Sequence, residues 1–142
     1  MTSSLQLQTI LIVDDNPTNL EVLSETLTRS GYQVSVAIDG ESAIEQVKYH
    51  LPSLILLDIM MPGINGFETC KRLKQNPSSR DIPVIFMTAL TDTEHKVKGF
   101  SLGAVDYVTK PFQREEVLAR VQVQIKLQNL SKTLEHQNHL LR

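Results

Sequence analysis

Five polar side chains with complementary chemistry each follow or close a short apolar run of the chain. They are Asp14, Asp15, Asp58, Thr88 and Lys110. Carboxylates that lie close together repel one another and favour a bound cation, and oxygen ligands of this kind are those that Mg²⁺ takes. Asp58 would be a nucleophile that forms an aspartyl-phosphate, while Thr88 and Lys110 would neutralise charge on the phosphoryl oxygens. These residue types predict Mg²⁺-dependent phosphoryl transfer, provided that the fold brings them together.

Taken singly, most of these residues have an ordinary structural interpretation. An Asp–Asp pair before a helix is as readily a helix cap. Thr88 alone is more often a β-branched strand residue, and Lys110 alone a solvated lysine. Asp58 is harder to explain in this way, because the sequence Met-Met-Pro-Gly follows it and turns the backbone away from its carboxylate. The functional prediction therefore depends on all five residues lying together.

Five apolar runs alternate with segments of helical character, which predicts βαβ units and a parallel sheet. The runs Ile10–Val13, Leu54–Leu57 and Val84–Met87 are apolar without alternation, as expected for strands covered on both faces. Polar residues interrupt Val34–Ile38 and Val105–Thr109, which suits edge strands. We predict an α/β, flavodoxin-like (βα)5 doubly wound parallel sheet with strand order 2-1-3-4-5. In such a sheet ligands bind beyond the carboxyl ends of the strands, where the five polar residues fall.

Helix signals separate these runs. The first helix is predicted to open at Asn16, a cap followed by proline, and to stop near Gly31. A second is predicted from about Gly40 to Tyr49, with Asp39 as its cap. A third is predicted to open with Asn65, Gly66, Phe67 and Glu68, close to a capping box, and to stop at Asn76 and Pro77. The fourth, Asp92–Leu102, contains Gly99, which costs about 1 kcal/mol in a helix interior, and it has few large apolar residues. We therefore predict that this fourth helix is a marginal element that a switch can move at small cost.

Four blocks of the sequence resemble the signature of response-regulator receiver domains of two-component systems, a CheY-like superfamily. The blocks are Ile12–Asp15, Leu57–Gly63, Met87–Ala89 and Asp106–Phe112, in the family's order. The resemblance covers roughly Thr9 to Gln124. It implies a phosphoprotein of signal transduction or a phosphorelay, in which a histidine kinase or phosphotransfer protein passes a phosphoryl group from phosphohistidine to Asp58. It also implies a signalling module that catalyses only its own phosphorylation and slow dephosphorylation.

The resemblance implies a metal site and a switch as well. Asp15 would ligate Mg²⁺ directly, Asp14 directly or through water, and Asp58 and the backbone carbonyl of Met60 would complete the protein's ligands. Met60 also stands two residues after Asp58, where a polar side chain can hold the attacking water, and Leu90 is at the matching position after the threonine. We expect these two apolar residues to make the aspartyl-phosphate long-lived.

The phosphate-binding and switching roles are implied in the same way. Thr88 and Lys110 would bind the phosphoryl oxygens, and Tyr107 would rotate inward on activation. The Lys110–Pro111 peptide bond would be cis. Phosphorylation would then reshape the face built from the fourth helix, the fifth strand and the fifth helix, which would signal to a partner or an output domain.

The C-terminal residues 125–142 are predicted to extend the last helix beyond a receiver domain at residues 1–124. No proline or glycine occurs after Gln113. Apolar residues continue from Val123 with the spacing of a heptad seam, namely Leu127, Leu130, Leu134 and Leu141. We expect a parallel homodimer through this seam, and the alternative is a frayed amphipathic extension. No DNA-binding motif follows, so direct DNA binding is not expected, and the sequence is either complete or a piece of a longer protein.

Two other functions fit an α/β chain of this size. A small Mg²⁺-dependent phosphatase with an aspartyl nucleophile would need a second aspartate two residues after the nucleophile, where this chain has Met60. A flavodoxin-like FMN carrier would need a hydroxyl- and glycine-rich loop after the first strand, where this chain has Asp14–Pro17. The residues at both positions therefore favour a receiver domain over either alternative.

The composition of the chain limits the cellular location and the classes of partner that we expect. The chain has 142 residues, a net charge of −2 and a single cysteine, Cys70, which suits a soluble protein of the reducing cytoplasm. Its N terminus has no secretory pattern, and its apolar runs are too short to span a bilayer. Before the tail there is no basic cluster of the kind that nucleic-acid binding needs. We therefore expect a cytoplasmic protein without a membrane or nucleic-acid partner.

Overall fold

The computed structural model describes residues 8–89 and 93–140, of which 135–140 are described by their backbone alone. Strands and helices alternate along these residues. The strands are β1 (Thr9–Val13), β2 (Gln33–Ala37), β3 (Leu54–Asp58), β4 (Val84–Ala89) and β5 (Asp106–Lys110). The helices are α1 (Pro17–Arg29), α2 (Gly40–Tyr49), α3 (Gly66–Gln75), α4 (Thr93–Ser101) and α5 (Arg114–Leu140).

The strands form one parallel sheet in the order β2-β1-β3-β4-β5, which confirms the predicted fold class and the edge positions of β2 and β5. Val13 pairs with Leu57, and Asp58 pairs with Met87. Thr88 pairs with Thr109 on the next strand. Because all the strands run in the same direction, the residues that follow these pairs come out at a single edge of the sheet.

The core lies on both faces of the sheet, as the continuous apolar strands predict. Leu54, Ile55, Leu56 and Leu57 of β3 are all fully buried. Since successive strand residues point to opposite faces, two of them pack under α1 and α5 and two under α2 and α3. Burial of each such side chain contributes roughly 1.5–3 kcal/mol, which holds the central strands in place and fixes the edge that carries Asp58.

Side-chain caps begin three of the helices where the sequence indicates. Asn16, Asp39 and Asn65 each accept a hydrogen bond from a backbone N–H of the following first turn, at 2.7–2.9 Å. Just beyond α1, Gly31 has a φ of 96°, a left-handed conformation that favours glycine. The predicted start of α1 and α2 and the stop at Gly31 are therefore confirmed.

α4 approaches the sheet closely at Gly99. Gly99 is buried, and a Cβ there would lie 2.7 Å from Cδ2 of Phe86 on β4. The large apolar residues of α4 are less buried, since Val97 is 65% exposed and Phe100, whose ring contacts Tyr107, is 48% exposed. The sequence interpretation counted Gly99 only as a weakness, but its missing side chain is what lets α4 lie against the Phe86 ring. Asp92, the first residue of the predicted helix, is outside the described residues.

Candidate functional site

The edge at the carboxyl ends of the strands gathers the predicted polar residues. Carboxylate oxygens of Asp14, Asp15 and Asp58 lie within 4.8 Å of one another. The Nζ of Lys110 lies 2.8 Å from Oδ1 of Asp58 and 3.7 Å from Oδ2 of Asp14. Thr88 follows the register partner of Asp58 on the neighbouring strand. Residues from four separate segments thus form one acidic site with one ammonium group.

The two aspartates after β1 have different surroundings. Asp14 is fully buried, whereas Asp15 is exposed. Oδ1 of Asp14 accepts a hydrogen bond from the backbone N–H of Asn16 at 2.9 Å, and its Oδ2 accepts one from Nδ2 of Asn19 at 3.1 Å. The N-cap of α1 is Asn16, so neither aspartate serves as the cap that the alternative interpretation proposed. Both carboxylates therefore remain available to the site.

Gly66 positions the loop that carries Asp58. Its backbone N–H donates to the carbonyl oxygen of Ile59 at 2.8 Å. A Cβ at Gly66 would collide with the backbone carbonyl oxygen of Asp58 and would lie 2.8 Å from Cα of Ile59. The start of α3 can therefore pack directly beneath Asp58 only because residue 66 is glycine. Sequence reasoning missed this role, since it treated Gly66 only as part of a helix start.

Burial dominates the electrostatics of Asp58. The residue is 2% exposed, and this desolvation raises its pKa to about 6, well above the ordinary range of an aspartate. The hydrogen bond and positive charge of Lys110 and the backbone N–H of Met60 lower the pKa, while the negative charge of Asp14 raises it. Three carboxylates and one ammonium group carry a formal charge of −3 + 1 = −2 when ionised. This all-oxygen donor set of negative charge fits a hard divalent cation such as Mg²⁺.

The buried hydroxyl of Thr88 lacks a hydrogen-bond partner within the described part of the chain. An unpaired buried hydroxyl costs free energy, and such a group beside Asp58 is suited to donate to an oxygen of a bound phosphoryl group. A narrow crevice joins Thr88 to the ring of Tyr107, with Phe86 and Phe100 among its walls. The hydroxyl and the aromatic ring thus belong to one region between β4, β5 and α4.

Tyr107 is half-buried and has cations near its ring. The Nζ of Lys96 lies 4.4 Å from the ring centroid, and the guanidinium of Arg120 lies 5.6 Å from it. The ring of Phe100 packs against it edge to face at 5.8 Å. The next turn of the chain contains the Lys110–Pro111 peptide bond, which is cis. These contacts hold the ring of Tyr107 between α4 and α5 on the predicted switching face.

The helical tail continues past the core. Val117, Val121 and Ile125 of α5 are buried against the sheet. Beyond them Leu127, Leu130 and Leu134 are 53%, 55% and 60% exposed. Leu141, the fourth residue of the predicted seam, lies outside the described residues. No helix in the part of the chain that the structure describes has the length and apolar character to cross a membrane.

A doubly wound parallel sheet with an acidic cluster and a lysine at its strand ends defines an α/β domain suited to phosphoryl chemistry on an aspartate. A family model described as "Response regulator receiver domain" matches residues 10–122. The chain belongs to this family, the receiver domains of two-component response regulators. It is thus a signalling module, and the small phosphatase is not favoured.

Named relatives and a solved structure agree with this assignment. Response regulator PleD of Caulobacter vibrioides is 44% identical over 112 residues, which are 79% of this chain and 25% of PleD. The DNA-binding dual master transcriptional regulator RpaA of Synechocystis is 43% identical over 117 residues, 82% of this chain and 48% of RpaA. A putative response regulator from Chloroflexus aurantiacus superposes with a TM-score of 0.83 and 39% identity, covering 85% of this chain and 99% of its own. The chain therefore spans between a quarter and a half of these two curated relatives.

The free energy of unfolding in the absence of Mg²⁺ should depend on Asp58. Its folded pKa of about 6 lies above the value of about 3.9 for an unfolded aspartate, so the folded state binds the proton more tightly. The stability present at low pH is therefore lost as the pH rises from about 4 through 6, by up to about 3 kcal/mol. Denaturant unfolding in EDTA from pH 4 to 7 should show Asp58→Asn gaining stability relative to wild type as the pH rises. A difference that stays constant over this range would contradict the electrostatic account.

Proposed function

We propose that this chain accepts a phosphoryl group onto Asp58 from the phosphohistidine of a histidine kinase or phosphotransfer protein, with Mg²⁺, in the cytoplasm. The observation that supports it most directly is the acidic cluster, whose oxygens lie within 4.8 Å of one another beside the ammonium group of Lys110. An oxygen of Asp58 would attack phosphorus as the bond from phosphorus to the imidazole nitrogen breaks. The donor ring would be protonated on its other nitrogen, so it would leave as neutral imidazole. Asp58 must be ionised to react, which a pKa of about 6 allows at neutral pH.

The neighbouring groups have separate tasks in this step. Mg²⁺, held by the three aspartates and the carbonyl of Met60, would supply positive charge to the phosphoryl oxygens. The ammonium group of Lys110 would pass from Asp58 to a phosphoryl oxygen, and the unpaired hydroxyl of Thr88 would donate to another. Catalysis of this kind consists of positioning the groups and stabilising charge. It suits a chain that catalyses a single phosphoryl transfer to its own Asp58.

Incubation with acetyl phosphate or a phosphohistidine donor tests this function. With Mg²⁺ the label should approach a plateau of one phosphoryl group per chain, and EDTA should prevent it. Mass spectrometry after reductive cleavage of the acyl phosphate should place the label at Asp58. Continued turnover of small phosphomonoesters, with no stoichiometric label, would instead support the phosphatase.

We also propose that the aspartyl-phosphate hydrolyses slowly because of Met60. Met60 is 69% exposed, and its thioether cannot orient an in-line water strongly. Leu90, the other residue of this proposal, lies outside the described residues. Met60→Asn, which can hold water, should speed the loss of label severalfold, whereas the matched apolar variant Met60→Leu should not. Equal decay rates in all three proteins would rule out this explanation.

Phosphorylation is proposed to move Thr88 and Tyr107 and thereby to reshape the face of α4, β5 and α5. α4 is suited to this because Gly99 is its sole buried residue among those described. Amide hydrogen exchange should change in α4 and β5 when beryllium fluoride, a phosphoryl mimic, is added with Mg²⁺. Asp58→Asn with the same reagents is the control and should show no change. Changes confined to α1 and α2 would contradict the proposal.

A second copy of the chain is the proposed partner of α5, through the seam of Leu127, Leu130, Leu134 and Leu141. The observation that favours it is the exposure of the first three, which are each more than half exposed. They follow Ile125, the last residue of α5 that is buried among those whose side chains the structure describes. The receiver itself is proposed to make no direct contact with DNA or membrane. Residues 1–124 would form the receiver domain and 125–142 the pairing extension.

A further inference from the structure

Asn19 holds one oxygen of a carboxylate in the acidic site. Its side-chain Nδ2 donates to Oδ2 of Asp14 at 3.1 Å, and the backbone N–H of Asn16 donates to Oδ1 at 2.9 Å. Asp14 itself is fully buried at the end of β1. Each oxygen of this carboxylate thus has its own hydrogen-bond donor from the start of α1, and the rotation of the carboxylate is fixed.

The Asn19 amide acts on the oxygen that faces the rest of the site. Oδ2 of Asp14 also lies 3.7 Å from Nζ of Lys110. Asn19 is a neutral donor, so it can hold this oxygen without adding a positive charge that would repel a cation. Without the Asn19 amide, Oδ2 would keep only the ammonium group of Lys110 of the two contacts described above, and an ammonium competes with a divalent cation for the same carboxylate.

We propose that Asn19 is a positioning residue that sets the Asp14 carboxylate for divalent-cation binding. This inference rests on the proposed function, because it assumes that the acidic cluster binds Mg²⁺. The torsion that rotates a carboxylate is soft, so an unsupported Asp14 would sample many orientations. Hydrogen-bonding partners of metal-ligating groups commonly change metal affinity 10–100-fold when they are removed, because they preorganise the ligand.

A purely structural role for Asn19 makes a different prediction. Its side chain could simply tie α1 to the end of β1, in which case its loss would lower stability and leave cation affinity unchanged. The backbone N–H of Asn19 donates to Oδ1 of Asn16, and Ala or Leu at position 19 keeps that hydrogen bond of the helix cap. Replacing the side chain therefore removes the contact with Asp14 and leaves the start of α1 capped.

The test compares Asn19→Ala, Asn19→Leu and the control Thr18→Ala in the full chain. Leu keeps most of the volume of Asn without a donor, and Thr18 is exposed on the same helical turn. Calorimetric titration with Mg²⁺ should give a dissociation constant raised about tenfold in both Asn19 variants and unchanged in Thr18→Ala. Labelling by acetyl phosphate should need about tenfold more Mg²⁺ for half its maximal rate and should reach the wild-type rate at saturating Mg²⁺.

Each outcome of this experiment decides something. Unchanged Mg²⁺ affinity in Asn19→Leu, with or without a loss of stability in EDTA, would overturn the positioning role and leave the proposed function standing. A similar loss of affinity in Thr18→Ala would also overturn it, because the effect would then belong to the helical turn. Wild-type protein that binds no Mg²⁺ would overturn this inference together with the proposed function.

Discussion

Asp58→Asn is expected to abolish labelling by acetyl phosphate or a phosphohistidine donor. The change keeps the shape of the side chain but replaces a nucleophilic carboxylate oxygen with an amide, which cannot form an acyl phosphate. It also removes one of three anionic oxygen donors within 4.8 Å, so Mg²⁺ affinity should fall as well. Labelling should therefore drop below detection at every Mg²⁺ concentration. Substitution of any other single residue of the site should reduce labelling less.

The control for this variant is Asp39→Asn. Asp39 undergoes the same chemical change, yet it caps α2 through the backbone N–H of Ser42 and is no member of the acidic cluster. Asparagine caps helices about as well as aspartate, so this variant should fold and accept label normally. Stoichiometric label that survives in Asp58→Asn and maps to another residue would contradict the assignment of the phosphorylation site.

The full chain is expected to dimerise through α5, and Leu130→Asp/Leu134→Asp should make it monomeric. At 100° per residue, Leu127, Leu130 and Leu134 lie roughly 140–200° around the helix from Ile125. Ile125 packs on the sheet, so Leu130 and Leu134 lie on the opposite side of α5 from the receiver domain. Leu127 borders a groove that is also lined by Asp81 and Pro83 of that domain. A second helix can therefore reach Leu130 and Leu134 without meeting the receiver domain.

The expected dimer is weak to moderate. Burying a leucine fully contributes roughly 1.5–3 kcal/mol, and Leu127, Leu130 and Leu134 already bury almost half of their surface in the single chain. What they still contribute must exceed the entropy lost on association, which is several kcal/mol. A two-fold dimer with parallel helices would send both tails in the same direction. We expect dissociation at micromolar concentrations.

Analytical ultracentrifugation at tens of micromolar measures this directly. The matched control is Gln122→Asp/Asn129→Asp, which adds the same two charges at exposed polar positions of α5. These positions lie roughly 40–60° from Ile125, well away from the seam. The control should sediment like wild type, and Leu130→Asp/Leu134→Asp should not. A monomeric wild type, or a dimer that tolerates the seam variant, would move any interface to the face of α4, β5 and α5.

The sequence by itself determined the order of the elements and the class of the site. Unbroken apolar runs predict strands covered on both faces, and the β3 run is fully buried on both. Caps such as Asn16 and Asp39 mark helix starts because they act through backbone groups only two or three residues away. Once the strands are known to be parallel, Asp58 and Lys110 must share an edge, so their meeting follows from topology alone.

Only the tertiary structure decided the contacts between segments distant in sequence. From the sequence, Gly66 and Gly99 are only residues that weaken a helix. In the fold, Gly66 leaves room for the backbone at the end of β3, and Gly99 leaves room for the ring of Phe86. Asp14 and Asp15 are adjacent and identical, yet one is buried and held by Asn19 while the other is exposed. Local propensity cannot separate such cases, because burial and close approach depend on which surfaces meet when the sheet and helices pack.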